Sequence, residues 1–239
     1  MAPLIETPLI QTDNLTLHFG GLKAVDGVDF TLNAGEIHAL IGPNGAGKTT
    51  FVSLLSGRRI AQSGTILLAG EDITRLPAHL RVRKGIAYTF QITSIFPRLT
   101  VFDNVALAVQ SQGARDLPAR TRAALARVGL EGLEEQEAQT LSYGHQRLLE
   151  LAMGLALNPR VLILDEPTQG LAASEIDGFI RLVEGLVPET TVLLIEHNME
   201  VVMDLATRIT VLNFGKVLAT GTPAEIRANA SVQEAYLGA

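Results

Sequence analysis

This 239-residue sequence predicts an α/β fold with a doubly wound, mainly parallel sheet, on three observations. First, short and almost wholly apolar runs end in turns: EIHALI before a glycine-rich stretch, VLILD before a second acid, and TVLLIE before a histidine. Such runs suit strands of a parallel sheet whose two faces are both covered by helices. Second, stretches with helical spacing separate them, and alternating strands and helices wind a sheet in both directions. Third, 47% of residues are hydrophobic, 18% charged and only 5% aromatic, the balance of a globular protein with an aliphatic core.

Leu15, Leu17 and Phe19 alternate with polar neighbours, as do Val28, Phe30 and Leu32, with Gly-Gly and Asp-Gly pairs between them. Period two with turn residues in between predicts a small, half-buried antiparallel β subdomain. Glu36 to Ile41 is a short strand, and KTTFVSLLSG a helix closing at Gly57. TILLAG, from Thr65, is a further strand. From about Ile92 to Pro159 the pattern becomes helical, with LPARTRAALARVGL and QRLLELAMGLALNP as its clearest parts. This predicts an inserted α-helical subdomain over about 92–158. The core and the antiparallel lobe then occupy about 9–91 and 159–239 of a single domain. After VLILDEP, residues Ile176, Phe179, Ile180, Val183 and Leu186 recur at helical spacing. A buried strand from Thr191, a helix from about Met199 and a hairpin around Phe214-Gly215 complete the chain.

Composition excludes several classes. A net charge of -6 and a pI near 5.4 argue against the broad basic face that binds nucleic acid, so no such partner is expected. The absence of cysteine rules out disulfides and thiolate metal sites and fits a reducing compartment. MAPLIETPLIQTDN places prolines and acids where a secretion signal has a basic region followed by an apolar run. Nor does any window hold the roughly 18 uninterrupted apolar residues that a membrane span needs. The expectation is a cytosolic chain that works at a membrane only through a partner.

The chemistry begins with GPNGAGKTT, which comprises Gly42, Pro43, Asn44, Gly45, Ala46, Gly47, Lys48, Thr49 and Thr50. It satisfies G-x-x-x-x-G-K-[ST] between a strand and a helix, the context that this phosphate loop requires. At ordinary glycine usage the pattern arises by chance in about one chain of this length in a hundred. The glycines turn backbone N–H groups onto phosphate oxygens, and the following helix offers its positive end to the same anion. Lys48 would reach the β and γ phosphates and Thr49 would hold Mg²⁺, which makes the expected fold a P-loop NTPase. The alternative is a glycine-rich turn without a ligand.

Asp165 closes VLILD, at the carboxyl end of a buried strand beside the phosphate loop, and is an indirect Mg²⁺ ligand on that reading. Glu166 follows it and points elsewhere, so it is the candidate to polarise an attacking water. The acid pair can also be read as helix-capping charge. His197, after TVLLIE, falls near the γ phosphate by the same topology, or is simply a hydrogen-bonded loop residue. Gln91, after IAYTF, says little alone. LSYGHQ, from Leu141, is a second turn suited to phosphate, about a hundred residues after the first.

Phe19, GPNGAGKTT, Gln91, LSYGHQ, VLILDEP and His197, in this order, resemble the ATP-binding cassette ATPases, and the resemblance runs from Leu9 to Gly238. FGGLKAVDGV, TFQ, LSYG, LLIEHNM, GTPAEI and AYLG are most similar to nucleotide-binding subunits of branched-chain amino-acid importers. The resemblance implies ATP with Mg²⁺ and two subunits, alike or different, paired head to tail. ATP would lie between the phosphate loop of one and the LSYGHQ turn of the other. It assigns adenine stacking to Phe19, metal and water sensing to Gln91, and retention of the γ phosphate against Glu166 to His197. Ser142, Gly144 and His145 would face the nucleotide held by the other subunit. For Phe19 a buried strand aromatic is the alternative. Residues 92–105 would dock a membrane permease beside Gln91 through Ile95, Phe96, Pro97 and Leu99, although packing within the helical lobe explains the same apolar residues. The protein would then sit on the cytoplasmic face of the inner or plasma membrane.

The sequence departs from the family pattern at Tyr143, where many members have glycine, at His145, where they have glutamine, and at Ala172, which replaces an acidic or amide residue. Competing functions are the ATPase of a lipopolysaccharide-type exporter and a soluble cassette ATPase acting as an assembly or scaffold protein. A small-molecule kinase would leave LSYGHQ unexplained.

Overall fold

The computed structural model describes residues 8–89, 94–113 and 115–237. A long hairpin opens the chain, β1 (Pro8–Phe19) against β2 (Leu22–Asn33), and extends well beyond the alternating residues that predict it. With β4 (Ser63–Leu68) and β5 (Glu71–Asp72) it forms a four-stranded antiparallel sheet in the order β2-β1-β4-β5. The main sheet contains β3 (Ile37–Ile41), β6 (Ile86–Tyr88), β7 (Val161–Asp165), β8 (Thr191–Ile195), β9 (Arg208–Asn213) and β10 (Lys216–Gly221), in the order β10-β9-β3-β8-β7-β6. Only the β9/β10 hairpin at its edge is antiparallel.

The central strands are apolar because each face is covered by a different layer. Val161, Ile163, Leu193 and Ile195 share a core with the antiparallel sheet and with α1 (Lys48–Leu55), through Phe51, Val52, Leu54 and Leu55. Leu162, Leu164, Val192 and Leu194 point the other way, as the two-residue repeat of a strand requires. They meet α6 (Ala173–Glu184), α7 (Met199–Leu205) and the helical lobe, whose helices are α3 (Val101–Ser111), α4 (Leu117–Arg127) and α5 (Tyr143–Ala156).

Three further helices are not marked by hydrophobic periodicity. α2 (Ala78–Arg83) brings Arg81 into the core, where it donates to the carbonyls of Leu54 and Leu55 at the end of α1 and of Thr74 and Leu76. Burial lowers the Arg81 pKa to about 10, opposed by Asp72. The cation thus satisfies carbonyls that a helix end leaves unpaired. α8 (Pro223–Ala228) and α9 (Ala230–Leu237) pack Ile226 and Val232 against Ile41 and Val211, behind the strand that feeds the phosphate loop. Among the described residues no helix is long and apolar enough to cross a membrane.

Candidate active site

The phosphate loop joins β3 to α1 and is wedged between two other segments. A methyl group added at Gly42, with φ +150°, would collide with the Leu212 carbonyl at the end of β9. One added at Gly47, with φ +102°, would collide with the Ala24 carbonyl of β2. Only glycine fits such approaches. The loop closes on itself through Ala46 N–H to the Pro43 carbonyl at 3.2 Å, and Gly215 of the last hairpin donates to the Ala46 carbonyl at 2.9 Å. Lys48 Nζ folds onto the Gly42 and Pro43 carbonyls at 2.6 and 3.1 Å. Burial lowers the Lys48 pKa, while Glu166 and Asp165 raise it.

Phe19 ends β1 with 40% of its surface exposed, which excludes the buried strand aromatic. The Arg59 guanidinium lies 4.9 Å from its ring centroid. Gln62 holds the preceding residue by a pair of bonds, accepting from His18 N–H at 2.9 Å and donating to its carbonyl at 3.1 Å. With Thr49, Thr50, Ser53 and Arg58, Phe19 and Arg59 line one cleft beside the loop.

Asp165 ends β7, buried next to the loop lysine. Tyr88 of the neighbouring strand donates a short hydrogen bond to its Oδ2, and the Arg58 guanidinium stacks 4.0 Å from the Tyr88 ring centroid. Burial raises the Asp165 pKa, as does Glu166, while Tyr88, Arg58 and Lys48 pull it down. The Tyr88 hydroxyl is pushed upward, first by burial and then by Asp165, so it stays a proton donor. Glu166 takes a positive φ of 48° and donates its N–H to the Ile195 carbonyl at 2.8 Å. Its Oε1 lies 3.5 Å from His197 Nδ1. Two carboxylates adjacent in sequence therefore face different partners.

Glu196 is a residue beside the site that the sequence pattern does not mark. Buried at the end of β8, it accepts from Thr168 N–H at 3.1 Å, from the Thr168 hydroxyl, and from the N–H groups of His197 and Asn198 at 3.0 and 3.2 Å. One carboxylate joins the loop after Glu166 to the turn carrying His197. Tyr88, Arg58 and Gln62 are equally unmarked, and only an acid ending an apolar strand hints at Glu196.

Ser142 is the N-cap of α5, its hydroxyl accepting from His145 N–H at 3.3 Å. Ser142, Tyr143 and His145 are exposed while Gly144 is buried. Among the described residues no hydrogen bond or ion pair joins Ser142, Gly144 or His145 to residues 42–50. Gln91 and Ile92 lie outside the described residues. Of the apolar residues expected at a permease contact, Phe96 is 51% exposed and Ile95 partly buried, whereas Val105 belongs to the lobe core.

The donor set suits Mg²⁺. A hydroxyl (Thr49) and a carboxylate (Asp165) supply hard oxygens, and among the described residues no group of three acids or histidines could hold a metal alone. Mg²⁺ normally keeps waters and is completed by substrate phosphates, so one or two protein oxygens are enough.

The ABC transporter family profile matches residues 25–169, and that of the branched-chain amino acid ATP-binding cassette transporter matches residues 216–239. The chain is 40% identical to the high-affinity branched-chain amino acid transport ATP-binding protein BraF of Pseudomonas aeruginosa, over 97% of this chain and 98% of that protein. It is 36% identical to the lipopolysaccharide export system ATP-binding protein LptB of Escherichia coli, over 94% of this chain and 95% of that one. A crystal structure of the ADP conformation of MJ1267, an ATP-binding cassette of an ABC transporter, superimposes with a TM-score of 0.87 at 27% identity, covering 97% of this chain and 99% of that one. With one profile matched over more than half its length and such relatives over nearly all of it, the chain belongs to the ABC transporter family and is its ATP-hydrolysing, ATP-binding cassette.

Proposed function

We propose that this chain is the motor subunit of a membrane importer for branched-chain or related amino acids, working at the cytoplasmic face as one of two nucleotide-binding subunits. The match of residues 216–239 to the branched-chain amino acid cassette profile carries the solute class, supported by the identity to BraF. The similarity to LptB favours a second reading, an exporter ATPase of the lipopolysaccharide type. Purification with the membrane subunits, and identification of the ligand on their binding protein, separates the two.

In this reading adenine stacks on Phe19, whose ring lies against Arg59 and whose preceding residue is fixed by Gln62. The N–H groups of residues 44–49 and the Lys48 ammonium take the phosphates. Thr49 and, through water, Asp165 would hold Mg²⁺, with Gln91 as a further ligand; the ion supplies positive charge to the phosphate oxygens. Glu166 accepts a proton from water as the water oxygen attacks the γ phosphorus in line, and the bond to ADP breaks with its electrons leaving on ADP. His197, 3.5 Å from Glu166, keeps that carboxylate and the γ phosphate aligned. The second subunit completes the site with Ser142, Gly144 and His145, since a helix N-terminus favours the anion. Loss of the γ phosphate removes this contact and shifts the pair toward its open state.

The test is Glu166→Gln at saturating ATP. Sedimentation should show a stable dimer that retains unhydrolysed ATP; a monomer would overturn the shared site.

A further inference from the structure

Tyr143 and Ala172, two of the departures from the family pattern, flank one contact. The Tyr143 ring, 44% exposed at the start of α5, lies directly on the Gly170 backbone. A methyl group added to Gly170 would sit 2.9 Å from Tyr143 Cε1 and 3.4 Å from Cζ, inside contact distance. Gly170 has φ +80°, so glycine is required both by its backbone and by the ring above it. Arg147, one helical turn on from Tyr143, places its guanidinium 5.5 Å from the same ring centroid. A second link runs alongside. Glu175 Oε2 accepts from Ala172 N–H at 2.8 Å, and its other oxygen fills the space that a methyl group on Gly144 would need.

From Gly170 the path back to Glu166 is short and tight. Gln169 N–H donates to the Glu166 carbonyl and Leu171 N–H to the Thr168 carbonyl, both at 3.2 Å. Thr168 is in turn fixed to Glu196 and, through it, to the backbone of His197. Packed, hydrogen-bonded segments of this kind move together rather than deform.

We propose that Tyr143 and Gly170 form a latch within the subunit that ties the turn bearing Ser142 and Gly144 to the loop bearing Glu166. The inference rests on the shared-site reading. When Ser142 and Gly144 engage the nucleotide held by the other subunit, the latch passes that engagement to this subunit's own Glu166, which makes Tyr143 a positioning residue that couples the two sites.

The test is a double-mutant cycle on the full-length chain, since coupling between contacting residues shows as non-additivity. Tyr143→Ala should reduce the Hill coefficient for ATP toward one while leaving the ATP concentration at half-maximal rate within about twofold. Tyr143→Phe, which keeps the ring, should retain cooperativity. Gly170→Ala should lower kcat about tenfold, and adding Tyr143→Ala should recover the part of that loss due to the collision while leaving the part due to the positive φ. If the two effects simply multiply, or if Tyr143→Ala stays as cooperative as the parent, the latch is wrong. Should Gly170→Ala fail to fold, the contrast between the Phe and Ala variants at position 143 decides alone. A Glu166→Gln dimer seen by sedimentation in each background assigns a negative result to the latch. A Glu166→Gln chain that stays monomeric overturns the shared site and the latch with it.

Discussion

Glu196 shows what a single residue contributes when it ties its own turn to a loop distant in sequence. Its carboxylate accepts four hydrogen bonds from residues on two loops, and a bond to a charged group contributes about 1.5–3 kcal/mol. Glu196→Gln keeps the shape but puts a donor where two N–H or O–H groups need an acceptor. The expected result is a loss of about 2–3 kcal/mol in stability, read by denaturant unfolding, together with slower hydrolysis at little-changed ATP affinity. Unchanged turnover would mean that Glu166 and His197 do not depend on this tie. The sequence identifies Glu166 and His197 as candidates because each sits at a strand end beside a phosphate loop. It leaves Glu196 and Tyr88 unmarked because their partners, Thr168 and Asp165, are 28 and 77 residues away.

At the scale of elements, the helical lobe holds one exposed aromatic in a fixed place. Asn104 is buried on α3, accepts from Phe96 N–H at 2.7 Å, and donates to the carbonyls of Phe96 and Thr100 at 3.0 and 2.9 Å. Thr100 caps the same helix. The backbone of residues 96–100 is thus set by the lobe while Phe96 is half exposed, so the proposed permease contact is tested at this ring. Phe96→Asp should abolish transport in membranes while basal hydrolysis by the isolated chain stays within about twofold; equal loss of both would favour a packing role. The lobe is legible from its helical periodicity. α8 carries a legible signal of another kind, since Thr222, Pro223 and Glu225 form a capping box with proline at the first turn. Periodicity does not reveal this helix because six residues are too few for a repeat to register.

At the scale of the molecule, the phosphate loop and the Ser142 turn share no hydrogen bond or ion pair among the described residues. If the second subunit supplies the missing half, a pair of chains holds two reaction centres and each chain contributes half of both. Mixing a Lys48→Ala chain with a Ser142→Ala chain should therefore rebuild one working centre per mixed pair, with up to about half the parental rate in a pair isolated by two affinity tags. A mixed pair that forms and stays inert overturns the arrangement.

The sequence by itself determined the parallel core, the inserted lobe, the phosphate loop and the acids and histidine at strand ends. Those features are local: residue spacing sets strand and helix, and a strand's carboxyl end sets where its last side chain lies. Only the tertiary structure decided that Phe19 stands exposed, that Tyr88 rests on Asp165, that Glu196 joins two loops, and that the Tyr143 ring lies on Gly170. Each of these depends on how strands and helices remote in sequence are brought into register by burying a common core, and no local pattern encodes that register.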